Sequence, residues 1–316
     1  MKVLVTGADG FAGAWLVRAL VAAKHQVVGT HRLGGSPSRI LAAAECAAVT
    51  WRPLELASSE SVEAAVTGGW DAVVHLAAVS SGVEARRDPG LAWEVNAAGT
   101  ARLAESLARR RVAGEGDPLL LLVSTAEVYG MGQGQPHVEA DPLEPCSPYA
   151  ASKVGAEIAA RETGQRTGLR VIVARPFPHT GPGQDHRFVV PALAGRIRMA
   201  KRIGAPAIKT GSLEPVRDFL DVRDITTAYL ALLEQGVSGE AYNIASGIGI
   251  ALRSMVERLE ALLGWRVITE HEPGLARRAD ILHLVGDAGK LRATTGWSPR
   301  ISLDQTLQDL LDAQTD

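Results

Sequence analysis

Tyr149 and Lys153 stand four residues apart in the run Ser147-Pro148-Tyr149-Ala150-Ala151-Ser152-Lys153. On a helix that spacing puts both side chains on one face, one turn apart. A phenol has an ordinary pKa near ~10, and a neighbouring ammonium lowers it, so such a pair can exchange a proton close to neutral pH. Ser147 suits a helix N-cap and Pro148 the first helical position. Tyr149 then falls in the first turn, where the positive end of the helix also favours a phenolate. The same spacing fits a buried Tyr beside a surface Lys, so other residues must decide.

A second group has its own chemistry. Thr6-Gly7-Ala8-Asp9-Gly10-Phe11-Ala12-Gly13 follows an apolar run and opens a helical pattern, with glycines at 7, 10 and 13. Gly7 permits a tight turn, Gly10 lets a pyrophosphate approach the backbone, and Gly13 lets helix pack on strand. Free N–H groups at the helix N-terminus then face the phosphates. The alternative is a plain strand-to-helix turn. After the second strand the chain reads Thr30-His31-Arg32-Leu33-Gly34-Gly35, without the acid that would accept from a ribose 2′-hydroxyl. Arg32 can instead pair with a 2′-phosphate, which predicts NADP(H) over NAD(H). Arg32 stacked on adenine is the competing reading.

Alternating elements must position these groups. Strands are expected at 3–6, 26–30, 49–54, 72–76, 119–124 and 170–174, with helical patterns at 12–23, 59–67, 91–109 and 148–167 between them. This order implies an α/β fold, a Rossmann-type doubly wound parallel sheet. After about residue 176, proline and glycine become frequent and strict alternation ends. The expected organisation is a dinucleotide-binding domain over 1–175. Residues 176–316 form a smaller C-terminal α/β substrate lobe, some of whose segments return to the first domain.

Composition excludes several classes. With 46% hydrophobic and 22% charged residues, the 316-residue chain can bury a large core. A net charge of −2 gives no electrostatic case for nucleic acid or an anionic membrane. Two cysteines, Cys46 and Cys146, are too few for a disulfide framework and fit no zinc spacing, so no metal is expected and a reducing cytoplasm is. No signal peptide or membrane span is apparent.

Taken together, and in this order, the motifs resemble the extended short-chain dehydrogenase/reductase family, also called the NAD-dependent epimerase/dehydratase family. The resemblance runs nearly end to end. Beyond the two motifs it includes His75-Leu76-Ala77-Ala78, Val95-Asn96-Ala97-Ala98-Gly99-Thr100, Ser124-Thr125-Ala126-Glu127-Val128-Tyr129-Gly130 and Arg217-Asp218-Phe219-Leu220-Asp221-Val222-Arg223-Asp224. Residues 174–184, 211–218, 242–247 and 295–300 resemble the family's 4-keto reductases of GDP-linked sugars. One departure is Pro178, where such reductases usually carry an Asn that helps hold the nucleotide diphosphate.

The resemblance implies NADPH-dependent reduction of the C4 ketone of GDP-4-keto-6-deoxy-D-mannose to GDP-D-rhamnose. Tyr149 would donate the proton, Lys153 would tune it and hold the nicotinamide ribose, and Thr125 would hydrogen-bond the sugar O4. Thr125 as a strand-end hydroxyl is the competing reading. Glu127 would orient the sugar or remain from dehydratase chemistry. Ala126 stands where glucose-type dehydratases carry an Asp acid, which argues against that reaction. The cofactor set would comprise Gly7, Gly10, Phe11, Ala12, Gly13, His31 and Arg32; Glu55 and Leu56 after the third strand; Leu76, Ala77, Ala78 and Asn96; and Phe177 and His179 with Tyr149 and Lys153. The substrate set would comprise Ser80 and Ser81, Thr125, Glu127, His179, Phe188 and Val189, with Arg217, Arg277 and Asp280 toward the nucleotide. A homodimer through the helices near 91–109 and 148–167 is expected. Two rivals remain: a 4-epimerase or 4,6-dehydratase that keeps NAD bound, and a non-enzymatic nucleotide-binding regulator.

Overall fold

The computed structural model describes residues 1–35, 38, 40–132, 134–275 and 281–313. Strands β1 (Lys2–Thr6), β2 (Gln26–Arg32), β3 (Thr50–Leu54), β4 (Ala72–His75), β5 (Leu119–Val123) and β6 (Arg170–Pro176) follow the expected alternation. A seventh strand, Ala241–Ile244, comes from the C-terminal half and pairs with β6. All neighbours are parallel, in the order Ala241–Ile244, β6, β5, β4, β1, β2, β3. The order reverses between β1 and β4, and in such sheets the crevice beyond the strand C-termini at that point takes ligands. The sheet is covered on both faces, which is why β5 can be the unbroken apolar run Leu119-Leu120-Leu121-Leu122-Val123, every residue of it buried.

Helix α1 (Phe11–Ala22) and the Val222–Gln235 helix pack on one face. Gly99–Val112 and Pro148–Thr167 pack on the other. The single helix expected over 91–109 is interrupted. Pro89–Trp93 is α-helical, Glu94–Ala98 takes a wider π turn, and the α-helix resumes at Gly99. The resumption is sterically tight, because a Cβ on Gly99 would lie 2.7 Å from Leu56 Cβ.

A separate apolar cluster joins the helices Val189–Ile203, Leu252–Leu263 and Leu303–Ala313 through Leu193, Ile197, Met255, Leu259, Leu307 and Leu310. The acids of the 217–224 motif tie this half together. Asp218 is fully buried and accepts from the backbone N–H groups of Ser246 and Gly247 at 3.0 and 2.9 Å. Asp224 accepts from Arg300 and Ile301 at 3.1 and 2.9 Å. Asp221 caps its own helix and holds Thr306 at 2.8 Å. Among the described residues no helix is long and apolar enough to cross a membrane.

Candidate active site

The helix carrying Tyr149 and Lys153 begins as its sequence dictates. Ser147 Oγ accepts from the Ala150 N–H at 3.1 Å, and Pro148 occupies the first turn. Both side chains line a cavity of about 890 Å³ that runs across the C-terminal ends of the strands. Thr125 and Glu127 reach the same cavity from the turn after β5. Thr125 Oγ1 also accepts from the Glu127 N–H at 3.3 Å, capping the short 3-10 turn Ala126–Tyr129. The four residues expected to do chemistry are therefore brought together.

Their electrostatics differ from the expectation in one respect. The Tyr149 phenol is not lowered toward neutrality; burial pushes it well above its ordinary value and the Glu127 carboxylate adds to this, while Thr125 pulls the other way. A phenolate here loses solvation and faces an anion, and both effects outweigh the helix N-terminus. Tyr149 thus stays a protonated donor throughout the neutral range. Lys153, 3% exposed, is the group that moves toward neutrality: burial brings it down to about 8, against the pull of Glu157. His75 lies beneath the site, with Nδ1 at 2.7 Å from Thr6 Oγ1 and Nε2 at 3.1 Å from Thr100 Oγ1. Thr100 gives its own proton to the Asn96 carbonyl oxygen, so Nε2 must donate and Nδ1 accept. Such an imidazole is neutral, and burial together with Lys153 holds it down to about 3.

At the other end of the cavity lies the glycine turn. Gly7 has φ +68°, and a Cβ there would sit 2.8 Å from Ala77 N. A Cβ on Gly13 would come within 2.1 Å of the Gly7 carbonyl oxygen. Gly10 caps α1 without a side chain, so the first-turn N–H groups have no side-chain acceptor from the cap. That is the geometry a pyrophosphate needs, and the residues fit a dinucleotide. Phe11, Ala12, His31 and Arg32 line this end, with Glu55 and Leu56. His31 Nδ1 donates to the Arg32 carbonyl at 3.0 Å.

Leu76, Ala77 and Ala78 form the middle of the wall, facing Phe177 and His179. His179 stacks on Phe11 with ring centres 6.3 Å apart and a 9° interplanar angle. Asn96 is not in the lining. It is 1% exposed, and its amide is fully engaged, accepting from Val79 N–H at 2.8 Å and donating to the Val79 carbonyl and Ser152 Oγ at 3.1 and 2.9 Å. Its place is behind the wall, joining the loop after β4 to the Tyr149 helix. Ser80 lines the cavity, whereas Ser81 caps the Gly82–Arg87 helix by accepting from Glu84 N–H at 3.3 Å. Phe188, Val189 and Arg217 also line the cavity. Arg277 and Asp280 lie outside the described residues.

The cavity also includes groups that sequence reasoning passed over. Arg187 adds a cation over the Phe188 ring, 5.8 Å from its centre. Tyr229, wholly buried on the Val222–Gln235 helix, lies behind the cavity lining. Nothing in its local pattern separates it from core, because its helical position is that of a buried apolar residue. Among the described residues no cluster of His, Cys, Asp or Glu could hold a metal ion.

Comparison with known proteins agrees with this geometry. Residues 3–245 match the model of the NAD dependent epimerase/dehydratase family. GDP-6-deoxy-D-mannose reductase of Pseudomonas aeruginosa is 38% identical over 245 residues, 76% of this chain and 79% of that protein. The structure of RMD from Pseudomonas aeruginosa complexed with NADPH superposes with a TM-score of 0.82 at 31% identity, covering 99% of this chain and 98% of that one. Thermus thermophilus UDP-glucose 4-epimerase in complex with NAD gives 0.85 at 28% identity, with the same coverage. The chain belongs to the NAD dependent epimerase/dehydratase family of extended short-chain dehydrogenases/reductases and is an NAD(P)-dependent oxidoreductase.

Proposed function

We propose that this enzyme is an NADPH-dependent reductase of the C4 ketone of GDP-4-keto-6-deoxy-D-mannose, giving GDP-D-rhamnose. The observation that carries the reading is the meeting of Thr125, Tyr149 and Lys153 in one cavity, with Ala126 in place of a second acid. Similarity to the Pseudomonas aeruginosa reductase supports the sugar, and Arg32 at the acid-free end of β2 supports NADPH.

The bound reduced nicotinamide supplies the hydride. Gly7, Gly10 and Gly13 admit the pyrophosphate, Arg32 takes the 2′-phosphate, and Lys153 holds the nicotinamide ribose. Thr125 donates to the sugar O4 and Tyr149 gives its proton to that oxygen as negative charge develops there. Lys153, kept charged, steadies the resulting phenolate. Arg217 and Arg187, both in the cavity lining, meet the nucleotide diphosphate in this reading, and Phe188 and Val189 contact the nucleotide. The Tyr149-bearing helix and its neighbour present Ile158 and Trp93 to solvent at 63% and 47%, which suits a homodimer through this face.

A second reading has one observation in its favour. Glu127 faces the same cavity as Tyr149, as a 4,6-dehydratase base would. Cofactor handling separates the two, since a reductase exchanges its cofactor each turnover and a dehydratase or epimerase retains NAD. The test is oxidation of NADPH or NADH, in parallel, by purified enzyme with GDP-4-keto-6-deoxy-D-mannose, with product identification. Oxidation of NADPH with GDP-D-rhamnose formed is the expected result. No oxidation, together with NAD retained through purification, would transfer the assignment to the second reading.

A further inference from the structure

Ser152 immediately precedes Lys153 on the Pro148–Thr167 helix and is wholly buried. Its small buried neighbours on that helix, Ala150, Ala156 and Ala160, are all alanines. Alanine is the better helix former and needs no polar partner, so a hydroxyl at this position calls for a reason. Its bonds supply one. Ser152 Oγ donates to the Tyr149 carbonyl at 2.7 Å and accepts from Asn96 Nδ2 at 2.9 Å. The Asn96 amide in turn closes on both backbone groups of Val79. Val79 stands between Ala78 and Ser80, which line the cavity, whereas Val79, Asn96 and Ser152 do not.

This bridge has little room to adopt a second arrangement. Gly155 lies three residues beyond Ser152 and so on the same helical face. A Cβ there would sit 2.7 Å from the Trp93 ring and 3.0 Å from Ala97 Cβ, so the two chain segments meet almost backbone to side chain. The wider turn at Glu94–Ala98 carries Asn96 into that contact. The Asn96 carbonyl is itself taken by Thr100 Oγ1 at 2.6 Å. The bridge therefore ties the wall at Ala78 and Ser80 to the helix at Tyr149 and Lys153, and it does so from behind the lining.

We propose that Ser152 is a positioning residue for the reaction: its hydroxyl, bonded to the Tyr149 carbonyl and to the Asn96 amide, fixes the Tyr149 donor against the Ala78–Ser80 wall. Ser152 itself touches no ligand. It acts on rate through geometry, because misplacing a reacting group by about 1 Å is enough to cost ~10²-fold. The inference rests on the reading of Tyr149 as the proton donor of a ketone reductase.

Ser152→Ala removes the hydroxyl and keeps a good helix former. With GDP-4-keto-6-deoxy-D-mannose and NADPH, its kcat should fall roughly tenfold to a hundredfold, with KM and NADPH affinity within about twofold of wild type. A double-mutant cycle shows which group Ser152 acts through. Ser152→Ala/Tyr149→Phe should turn over within about twofold of Tyr149→Phe alone, since no phenol is left to position. Every assay is run well below the melting transition of the variant, so that loss of folded protein does not enter kcat. A wild-type kcat in Ser152→Ala would overturn the inference and leave the reductase reading intact. So would losses that multiply in the double variant, or a loss confined to KM or to cofactor binding. Absence of turnover in the wild type would remove the reductase reading and the inference together.

Discussion

Glu157 and Arg175 form an ion pair at 2.7 Å with side chains only 2% and 3% exposed, one helical turn behind Lys153. The same carboxylate accepts from Arg175 Nε at 3.0 Å and from Ser124 Oγ at 2.5 Å. One side chain therefore joins the Tyr149 helix, β6 and the residue preceding Thr125. Arg175 passes the connection on to Tyr129, which stacks on His137 at 4.7 Å. Removing one member of a buried pair leaves an uncompensated charge, which costs about 3–5 kcal/mol, whereas replacing both by apolar groups is often neutral. Arg175→Met should accordingly lose about 3–5 kcal/mol in urea unfolding, and Glu157→Leu/Arg175→Met should recover most of it. A loss under about 1 kcal/mol in the single variant would mean that the pair is not the tie described.

The same pair predicts a pH dependence. Lys153 has its ammonium brought down to about 8 by burial, while Glu157 opposes that fall. Tyr149 is pushed up and cannot titrate in this range. The free enzyme should thus lose kcat/KM as pH rises through about 8, and the limb belongs to Lys153. Glu157→Gln takes away the opposing charge and should move the limb to lower pH. Stability runs the other way. Because the folded-state value lies below the unfolded one, the penalty for burying the ammonium is fully present below about 8 and is relieved as pH rises toward the ordinary lysine range. Lys153→Met should flatten this contribution. An alkaline limb that stays in place in Glu157→Gln would detach it from Lys153.

Tyr149→Phe tests the proton donor directly. It keeps the ring and removes only the hydroxyl. Turnover should fall about 10²–10⁴-fold, the usual range for a positioned acid. Cofactor affinity should change little, because Lys153 and the glycine turn remain. Full activity in Tyr149→Phe would dismiss the proposed chemistry. Near-complete loss of cofactor binding would show that the hydroxyl acts in binding instead.

Much of this arrangement was legible in the residues themselves. The strands announce themselves as short apolar runs, and the glycine turn and the Ser147-Pro148 helix start carry local stereochemistry that no tertiary contact needs to supply. What local pattern does not carry is burial. The direction of the Tyr149 shift depends on how much solvent its phenol loses and on Glu127, whose side chain is brought near only by the turn after β5. Asn96 reads as a polar residue beside the cofactor loop. Its amide is in fact engaged with Val79 and with Ser152, 56 positions away, a pairing that only the packed sheet creates. The π turn at Glu94–Ala98 leaves no mark in a periodicity that suits an ordinary helix equally well. Tyr229 is hidden for the same reason, since an apolar helical face looks alike whether it packs in core or behind a cavity.

The proposed preference for NADPH rests on the end of β2. Arg32 is exposed and lines the cavity beside His31, with no acid in the Thr30–Gly35 turn. A guanidinium pairs with a 2′-phosphate through charge-assisted hydrogen bonds, whereas a carboxylate there repels the phosphate and accepts from a free 2′-hydroxyl. Arg32→Asp should therefore weaken NADPH binding by roughly tenfold or more and improve NADH binding, reversing the order of affinities. Arg32→Ala should lose the NADPH advantage without gaining for NADH. Titration of each variant with both reduced cofactors measures the ratio. If Arg32→Ala weakens both equally, the guanidinium acts on the adenine common to the two, and preference must be set elsewhere around the ribose.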